Sequence, residues 1–198
     1  MDAADLTARW PTAWGDCRPI GHELRSCLHD RWVRFHSLPG SKRYAGSEDE
    51  YAGILGRHLT VLAELLARDG TGAERELLVV TASWSGGPAP APREAGLAGV
   101  LPAAEHWMSI LTEDSVPGEE TWTHLWVSAV RFPAEDLSRL LRLAADYVTA
   151  GVIITTADLS WLYHPYDGGA DVIAATAGQR DQLRREHQDW LSAHPAGL

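Results

Sequence analysis

Hydrophobic residues recur at helical spacing in two long stretches of the chain. The first begins at Ser47, which forms a capping box with Glu50, and the second begins at Pro133 and extends to about Thr149. The apolar faces of these predicted helices consist of Tyr51, Ile54, Leu55, His58, Leu62, Leu65 and Leu66, and of Leu137, Leu140, Leu141, Ala144 and Val148. Shorter helices are predicted over residues 20–31 and after a second capping sequence at Thr176.

Alternating and continuous apolar runs between these helices predict a sheet. Residues 32–36 alternate, so that Val33 and Phe35 would face the core while Arg34 and His36 share the opposite face. Further strands are predicted over residues 77–83, 107–111, 121–132, 152–155 and 161–164, followed by a tight turn and a return strand from Val172. Because helices and strands interleave irregularly around a hairpin, the pattern indicates an α+β fold with a mainly antiparallel sheet packed by helices.

The predicted domain organisation is a single α+β domain over residues 20–198, preceded by an N-terminal flap or arm over residues 1–19. Two of the nine tryptophans, Trp10 and Trp14, fall in this arm. They either pack as a flap or mark a surface for a partner. Six others fall in predicted core elements: Trp84, Trp107, Trp122, Trp126, Trp161 and Trp190.

The composition is that of a folded, acidic protein. Apolar residues make up 45% of the 198 residues and charged residues 22%, which excludes wholesale disorder. Seventeen Lys and Arg against 27 Asp and Glu give a formal net charge of −10. Phosphate binding needs a basic face, so we expect neither a general nucleic-acid binder nor a membrane-surface protein.

The cysteines and the lack of targeting patterns predict a cytoplasmic location. The first residues show no basic stretch followed by an apolar run, and no segment approaches about eighteen consecutive apolar residues. Cys17 and Cys27 fall in or near one predicted helix, where ten residues would separate them by about 15 Å, too far for a disulfide. We therefore expect reduced thiols.

A locally basic motif lies over residues 34–44. Arg34 and His36 leave the predicted strand on one face, and Lys42, Arg43 and Tyr44 follow the turn. This set can hold a phosphate or carboxylate, because Arg offers a planar fork, Lys a point charge and the turn free amides. The alternative is a solvated turn whose basic residues pair with the acidic residues 48–50.

A second polar motif lies over residues 161–171 around a predicted hairpin turn. His164 could act as a general base held by Asp167, with Tyr166 beside them as a ligand-binding residue, or His164 and Asp167 could ligate a metal. Alternatively, Asp167 bonds its own backbone in the turn. His58, on an apolar helix face, is more typical of a core histidine than of a catalyst.

These motifs resemble an uncharacterised bacterial family, the domain of unknown function 3885, over roughly residues 30–198. The resemblance is carried by residues 34–39, 41–44, 57–58, 60–62, 164–169, 171, 189–192 and 194–195. The family pattern favours Asn after the Arg57-His58 pair, where this chain has Leu59, so a role for that Asn does not carry over. The family has no established activity, so the resemblance implies a shared fold region and grouping of motifs rather than a reaction.

The sequence favours a non-enzymatic protein-binding domain, for example an immunity-type neutraliser of a basic toxin, because the domain is small and acidic. Glycine-rich nucleotide loops and the common hydrolase motifs are absent, so we predict no cofactor and no metal. The alternative is an enzyme or binding domain for a phosphorylated or nucleotide-like ligand. The basic motif would hold this small anionic ligand, and His164 and Asp167 would transfer a proton, which requires the two motifs to meet in space. A third hypothesis is a structural or regulatory domain in which both motifs are turns and buried networks.

Overall fold

Among the described residues, seven strands form one sheet in which each neighbouring pair is antiparallel. A computed structural model describes residues 3–68, 75–113, 116 and 118–192. The strands run in the order β1-β7-β6-β5-β2-β4-β3. Their bounds are β1 Trp32–His36, β2 Arg75–Ser85, β3 Glu105–Glu113, β4 Thr121–Phe132, β5 Ile153–Thr156, β6 Leu162–Tyr166 and β7 Gly169–Ile173.

Helices pack on both faces of this sheet, which confirms the predicted α+β class. The α-helices of the described residues are α1 Ala3–Trp14, α2 Leu24–Cys27, α3 Glu48–Arg68, α4 Ala95–Val100, α5 Glu135–Ala145 and α6 Ala177–Glu186. One core cluster joins one face of the sheet to α3, α4, α5 and α6, and a second joins the other face to α1 and α2. None of the described helices is long and apolar enough to cross a membrane.

The first face follows the predicted pattern closely. Val33 and Phe35 of β1 are buried in its core cluster, as their alternation predicts. The start of α3 is confirmed as well, because the Ser47 hydroxyl accepts a hydrogen bond of 3.3 Å from the Glu50 amide. The inner side of α3 consists of Ile54, His58, Val61, Leu62, Leu65 and Leu66. This amphipathic helix therefore covers β1, β7 and β6 from one side.

The second face is covered by the N-terminal residues. Most of the predicted arm is the helix α1, whose Leu6, Trp10 and Trp14 are buried. The Trp10 indole donates a hydrogen bond of 2.7 Å to the Cys17 carbonyl, and the Arg31 guanidinium lies 4.6 Å from the centre of the Trp14 ring. Both tryptophans of the arm thus pack inside the fold rather than on an exposed surface.

Three sequence predictions are wrong in detail. Residues 20–31 form two 3-10 turns, Gly21–Glu23 and His29–Arg31, on either side of the short α2. Helix α5 ends at Ala145 because Tyr147 adopts a left-handed backbone with φ 56°, so Val148 is exposed rather than buried. Trp84, expected in the core, is exposed near the end of β2. The His194-Pro195 pair lies outside the described residues.

Gly169, the first residue of β7, approaches β1 so closely that a side chain is excluded there. A Cβ at Gly169 would lie 2.1 Å from the Phe35 carbonyl oxygen. We expect Gly169→Ala to lower the free energy of unfolding by about 3 kcal/mol, because the clash forces the two strands apart. Urea unfolding followed by tryptophan fluorescence measures this change.

The matched control for that variant is Gly53→Ala in α3, where nothing lies within 4 Å of the added Cβ. Alanine is the better helix former, so this variant is expected to gain about 0.5 to 1 kcal/mol. Equal stabilities of the two variants would contradict the close approach of β7 to β1.

Candidate functional site

The two polar motifs meet through a largely buried ion pair between neighbouring strands. Arg34 on β1 lies opposite Asp171 on β7. Its guanidinium donates two hydrogen bonds to that carboxylate, Nε to Oδ1 at 2.7 Å and a terminal nitrogen to Oδ2 at 2.9 Å. The Asp171 side chain is 2% exposed and that of Arg34 is 15% exposed. The strand pairing and this bidentate contact bring the first motif against the second.

A second Arg–Asp pair joins the motifs at the β6–β7 turn. The Asp167 carboxylate, itself buried, accepts hydrogen bonds from the Arg43 guanidinium, with Nε 2.7 Å from Oδ2. The Tyr44 hydroxyl donates to the same carboxylate at 2.7 Å, and this bond raises the pKa of Tyr44. Asp167 is therefore held by the first motif, and the hydrogen bonds found for its carboxylate go to these side chains rather than to the turn backbone.

His164 is fixed by the backbone instead of by Asp167. Its Nδ1 lies 2.6 Å from the Val152 carbonyl oxygen. Because a carbonyl only accepts, Nδ1 carries the proton and Nε2 carries the lone pair of the neutral ring. Burial lowers the pKa of His164, although the Val152 contact opposes the shift, so the ring is neutral at neutral pH. The predicted hydrogen bond between His164 and Asp167 is thus not formed.

A cavity of about 170 Å³ opens on the second face of the sheet, beside this histidine. Its walls come from five parts of the chain: the segment before α2, one end of β2, one end of β4, the loop after α5, and the β6–β7 hairpin. The lining residues are Pro19, Ile20, Gly21, His22, Ala82, Trp84, Thr123, Leu125, Tyr147, Thr149, Ala150, Gly151, His164, Tyr166 and Asp167. Three predicted site residues, His164, Tyr166 and Asp167, therefore share one cavity.

Gly21 sets how closely the segment before α2 packs on His164. A Cβ at Gly21 would lie 2.4 Å from Cε1 of the imidazole, so only glycine leaves room for the ring in its observed position. Gly151 on another wall is similarly constrained, with φ 68° and a built Cβ 3.0 Å from the Ala82 Cβ. The shape of the cavity thus depends on Gly21 and Gly151, because the absence of a side chain at each allows its backbone segment to pack closely against the opposite wall.

The predicted basic residues do not line this cavity; its described lining contains neither Lys nor Arg. Arg34 and Arg43 pair with aspartates, and Lys42 Nζ lies 2.6 Å from the Glu50 carboxylate, as the solvated-turn alternative predicts. His36 borders a different, much smaller cavity, and its carbonyl accepts a hydrogen bond of 2.7 Å from Arg57. The cavity beside His164 is therefore a poor site for an anion, because the basic residues near it are already neutralised by carboxylates.

Exposed aromatic and apolar side chains line the cavity or adjoin its lining residues. The described part of the chain has five large apolar side chains that are exposed, and four of them are Tyr44, Trp84, Tyr147 and Val148. Trp84 and Tyr147 line the cavity, Tyr44 is bonded to lining Asp167, and Val148 lies between two lining residues. We call these four residues the aromatic rim.

Sequence patterns missed most of this rim. Tyr44 stood out only as part of the basic motif, and Trp84 directly follows the predicted buried strand over residues 77–83. Tyr147 and Val148 continue the predicted helix. The signal that was available is weak: Trp84 lies between two serines close to a Gly-Gly pair, where a strand is expected to end.

His58 is a core histidine, as the sequence favours. It is 3% exposed, and its Nδ1 lies 2.6 Å from the Tyr163 hydroxyl. Burial lowers its pKa to about 4 and raises the pKa of Tyr163. Both groups are therefore neutral at neutral pH, and they form a structural contact between α3 and β6.

One cluster has the composition of a metal site. Oxygen and nitrogen atoms of Glu64, Glu186 and His187 lie within 4.8 Å of one another. The Arg68 guanidinium bonds Glu186 and lies 3.7 Å from Glu64, so an arginine already supplies positive charge there. This cluster is an ion-pair network at the α3–α6 contact.

Fold and cavity together define a small α+β domain with an aromatic-rimmed recess at the junction of two polar motifs. The chain belongs to the family described as Domain of unknown function (DUF3885), whose model matches residues 20–195. This match confirms the resemblance seen in the motifs. Neither a curated protein nor a solved structure matches the chain.

The Arg34–Asp171 pair is expected to be strongly coupled to folding. Asp171→Asn removes the negative charge and leaves the Arg34 guanidinium largely buried without its counter-ion, which is expected to cost about 3 kcal/mol. Lys42→Gln breaks the exposed pair with Glu50 and is expected to leave stability nearly unchanged. Urea titrations of both variants at neutral pH test this contrast, and a similar loss in both would contradict it.

His58 is expected to make stability fall with acidity. Its pKa is about 4 in the native state against an ordinary value of 6.5, so the unfolded chain binds a proton first as the pH drops. The stabilisation is complete above pH 6.5 and is lost between there and pH 4, by about 3 kcal/mol. Urea titrations across this range are expected to show a shallower fall for His58→Asn.

Exposed His29 supplies the control for that experiment. His29→Asn is expected to keep the wild-type pH dependence, because the side chain is on the surface. If His58→Asn and wild type lose stability in parallel, the burial of a neutral His58 does not cause the acid sensitivity.

Proposed function

We propose that this protein is a protein-recognition domain whose cavity accepts an apolar or aromatic side chain of a basic partner. The observation that carries the proposal is the convergence of the aromatic rim on one recess. Trp, Tyr and Arg dominate the energetics of protein interfaces, and contiguous exposed apolar side chains are typical of binding surfaces. Arg43, whose side chain is 61% exposed, lies at the same place, and its charge is balanced by the buried Asp167.

The size of the recess favours a side chain over a large ligand. Small-molecule and cofactor sites are typically about 300 to 1,000 Å³. The cavity measures about 170 Å³, which suits a group the size of one ring. Its walls are mainly apolar, and the charge of Asp167 is balanced by Arg43. A neutral, apolar anchor therefore fits it better than a phosphate.

Tyr147 supports a binding role because its backbone is unfavourable for a tyrosine. It occupies the left-handed position that ends α5, where glycine is usual, and its side chain is 65% exposed. A β-branched or aromatic residue gains little stability there. Unfavourable backbone at an exposed aromatic residue is typical of a position kept for contact with another molecule.

The negative net charge of the chain favours a basic partner. A net charge of −10 attracts a basic protein over distance and speeds its capture at low ionic strength. The immunity-type neutralisation of a toxin is one form of such binding and stays a prediction.

His164 favours a second candidate function, the binding of a small uncharged molecule. Its protonation pattern leaves a lone pair at Nε2 in a ring that borders the cavity. A ligand hydroxyl or amide could donate to that atom. The ion pairs of Arg34, Lys42 and Arg43 weigh against the phosphorylated ligand expected from the sequence.

Replacing Tyr147 by glycine is expected to separate binding from folding. Tyr147→Gly relieves the left-handed backbone and gains about 1 kcal/mol in unfolding free energy, while it removes part of the rim and weakens partner binding at least tenfold. Val116→Ser, an exposed apolar residue outside the cavity lining, is the matched control. Unfolding titrations and native mass spectrometry of gently purified protein give both readouts.

The mass of any molecule that stays bound to the protein in native mass spectrometry distinguishes protein recognition from small-molecule binding. A basic protein companion that is lost from Tyr147→Gly and retained by Val116→Ser supports the proposal. A small organic mass that is lost on His164→Phe supports the second candidate instead. A companion that survives both Tyr147→Gly and Trp84→Ser, or the absence of any companion, would refute recognition through the rim.

A further inference from the structure

A gap opens in the sheet where β3 stops pairing with β4. The pairing of these two strands begins with Glu105 opposite Val127, whereas β4 continues to Phe132. Residues 128–132 of β4 therefore pair with β2 on one side and with no described strand on the other. Because the backbone N–H and C=O groups of alternate residues point to opposite sides of a strand, part of this edge lacks ladder partners.

The chain before β3 diverges from β4 instead of extending the ladder. If the register continued, Leu101 would stand opposite Arg131. Pro102 has no N–H to donate to such a ladder, and the Leu101 carbonyl already accepts a hydrogen bond of 2.7 Å from the Arg93 guanidinium. Residues 101–104 are thus unable to close the sheet at this point, and the edge of β4 stays open.

A cavity of about 300 Å³ occupies this gap, and we call it the edge cavity. Its lining residues are Val100, Leu101, Pro102, Ala103, Ser128, Ala129, Val130, Arg131, Ala134 and Asp136. Four of them are consecutive in β4. Since successive side chains of a strand point to opposite faces, a cavity lined by four consecutive residues faces the edge of the strand rather than one face of the sheet.

One wall of the edge cavity carries an unsatisfied polar group. Ser128 is 8% exposed, and its hydroxyl has no hydrogen-bond partner in the part of the chain that the structure describes. A buried hydroxyl without a partner is unfavourable, because it has lost its bonds to water. A polar group of a molecule bound in the edge cavity would restore such a bond.

We propose that the edge cavity is a docking site for an extended segment of a basic protein, which adds as a strand to residues 128–132 of β4. The backbone of the segment supplies the missing ladder partners. Its apolar side chains enter the edge cavity beside Leu101 and Val130, which are both buried. None of the four residues of the aromatic rim lines this cavity, so the inference goes beyond the proposed function and does not depend on it.

Charge selects a basic protein over a second copy of the chain. The formal net charge of −10 makes two copies repel each other and attracts a basic polypeptide. Among the residues that line the edge cavity or lie close to them in sequence, exposed Glu105, Glu135 and Asp136 face one exposed lining cation, Arg131. Arg139 lies 3.7 Å from Asp136, but both side chains are more than half exposed, so this pair is weak.

A basic peptide on the isotope-labelled full-length protein tests the proposal. The probe is an N-acetylated hexapeptide in which lysine and valine alternate. We expect saturable binding, chemical-shift changes centred on the amides of residues 128–131, and slower hydrogen exchange over residues 128–132. A peptide with glutamate in place of each lysine is expected to bind about tenfold more weakly, because its charge has the sign of the protein's.

Two N-methylated versions of the hexapeptide test the strand pairing without any change to the protein. Each carries methyl groups on alternate backbone amides, one version on the odd positions and the other on the even positions. Only one edge of an added strand pairs with β4, so one version is expected to lose binding and the other to retain it. Equal affinities of the two versions would overturn strand addition.

Variants of the protein locate the site. Ala103→Trp places a large ring in the edge cavity from an exposed position and is expected to weaken hexapeptide binding about tenfold. Ala52→Trp, at an exposed position of α3 outside the lining, is the matched control and is expected to bind as wild type does. Trp84→Ser, which alters the aromatic rim, is also expected to retain the affinity.

The remaining outcomes contradict the proposal or assign the edge to another occupant. Absence of saturable binding, undiminished binding by Ala103→Trp, or shifts centred on the aromatic rim would each overturn it. Protection of residues 128–132 that grows with the concentration of the protein alone would assign the edge to a second copy. A rim-dependent companion without hexapeptide binding would refute this inference and leave the proposed function standing, and hexapeptide binding without such a companion would do the reverse.

Discussion

The buried contact between Arg34 and Asp171 fixes the part of the sheet on which the cavity is built. β1 lies at the edge of the sheet and pairs only with β7 among the described strands. A slip by one residue would turn its apolar residues away from the core and separate the two charges. A buried pair adds little net stability, yet it makes the wrong register costly. The second pair, between Arg43 and Asp167, fixes the adjacent turn. His164 and Tyr166 therefore lie on a hairpin that is held in position by both ion pairs.

Internal neutralisation of charge changes what the polar motifs can bind. The sequence offers a basic stretch in an acidic protein, which resembles an anion site. In the folded chain Arg34, Arg43 and Lys42 have carboxylate partners, and the neighbouring recess is walled by apolar and aromatic groups. The basic residues that would otherwise hold an anion therefore form ion pairs within the protein, and these pairs position the strands and the turn beside the cavity. This is why we propose that the cavity accepts an apolar anchor and that the charge of the whole chain acts at longer range.

Local patterns were sufficient for the long helices and most of the strands, and insufficient for α1, α4 and the cavity. The capping box at Ser47, the alternation of Val33 and Phe35 and the hairpin near Asp167 are short-range signals, and each is found in the structure. The cavity instead depends on where separate segments stop and meet. The end of α5 is decided by the left-handed Tyr147, and the contact of Gly21 with His164 joins residues far apart in the chain. Neither follows from periodicity. The hydrogen bond from His164 to Val152 likewise depends on the tertiary fold.

Strand β3 lies at the other edge of the sheet, where a regular strand would present a ladder of unpaired backbone groups to a second chain. Its pairing with β4 is interrupted twice, between His106 and Met108 and between Leu111 and Glu113. Each irregularity bends the strand and breaks the two-residue period that edge-to-edge pairing requires. Charged residues, Glu105 and Glu113, stand at its two ends. Interrupted pairing and end charges are the features by which edge strands discourage sheet-extending aggregation.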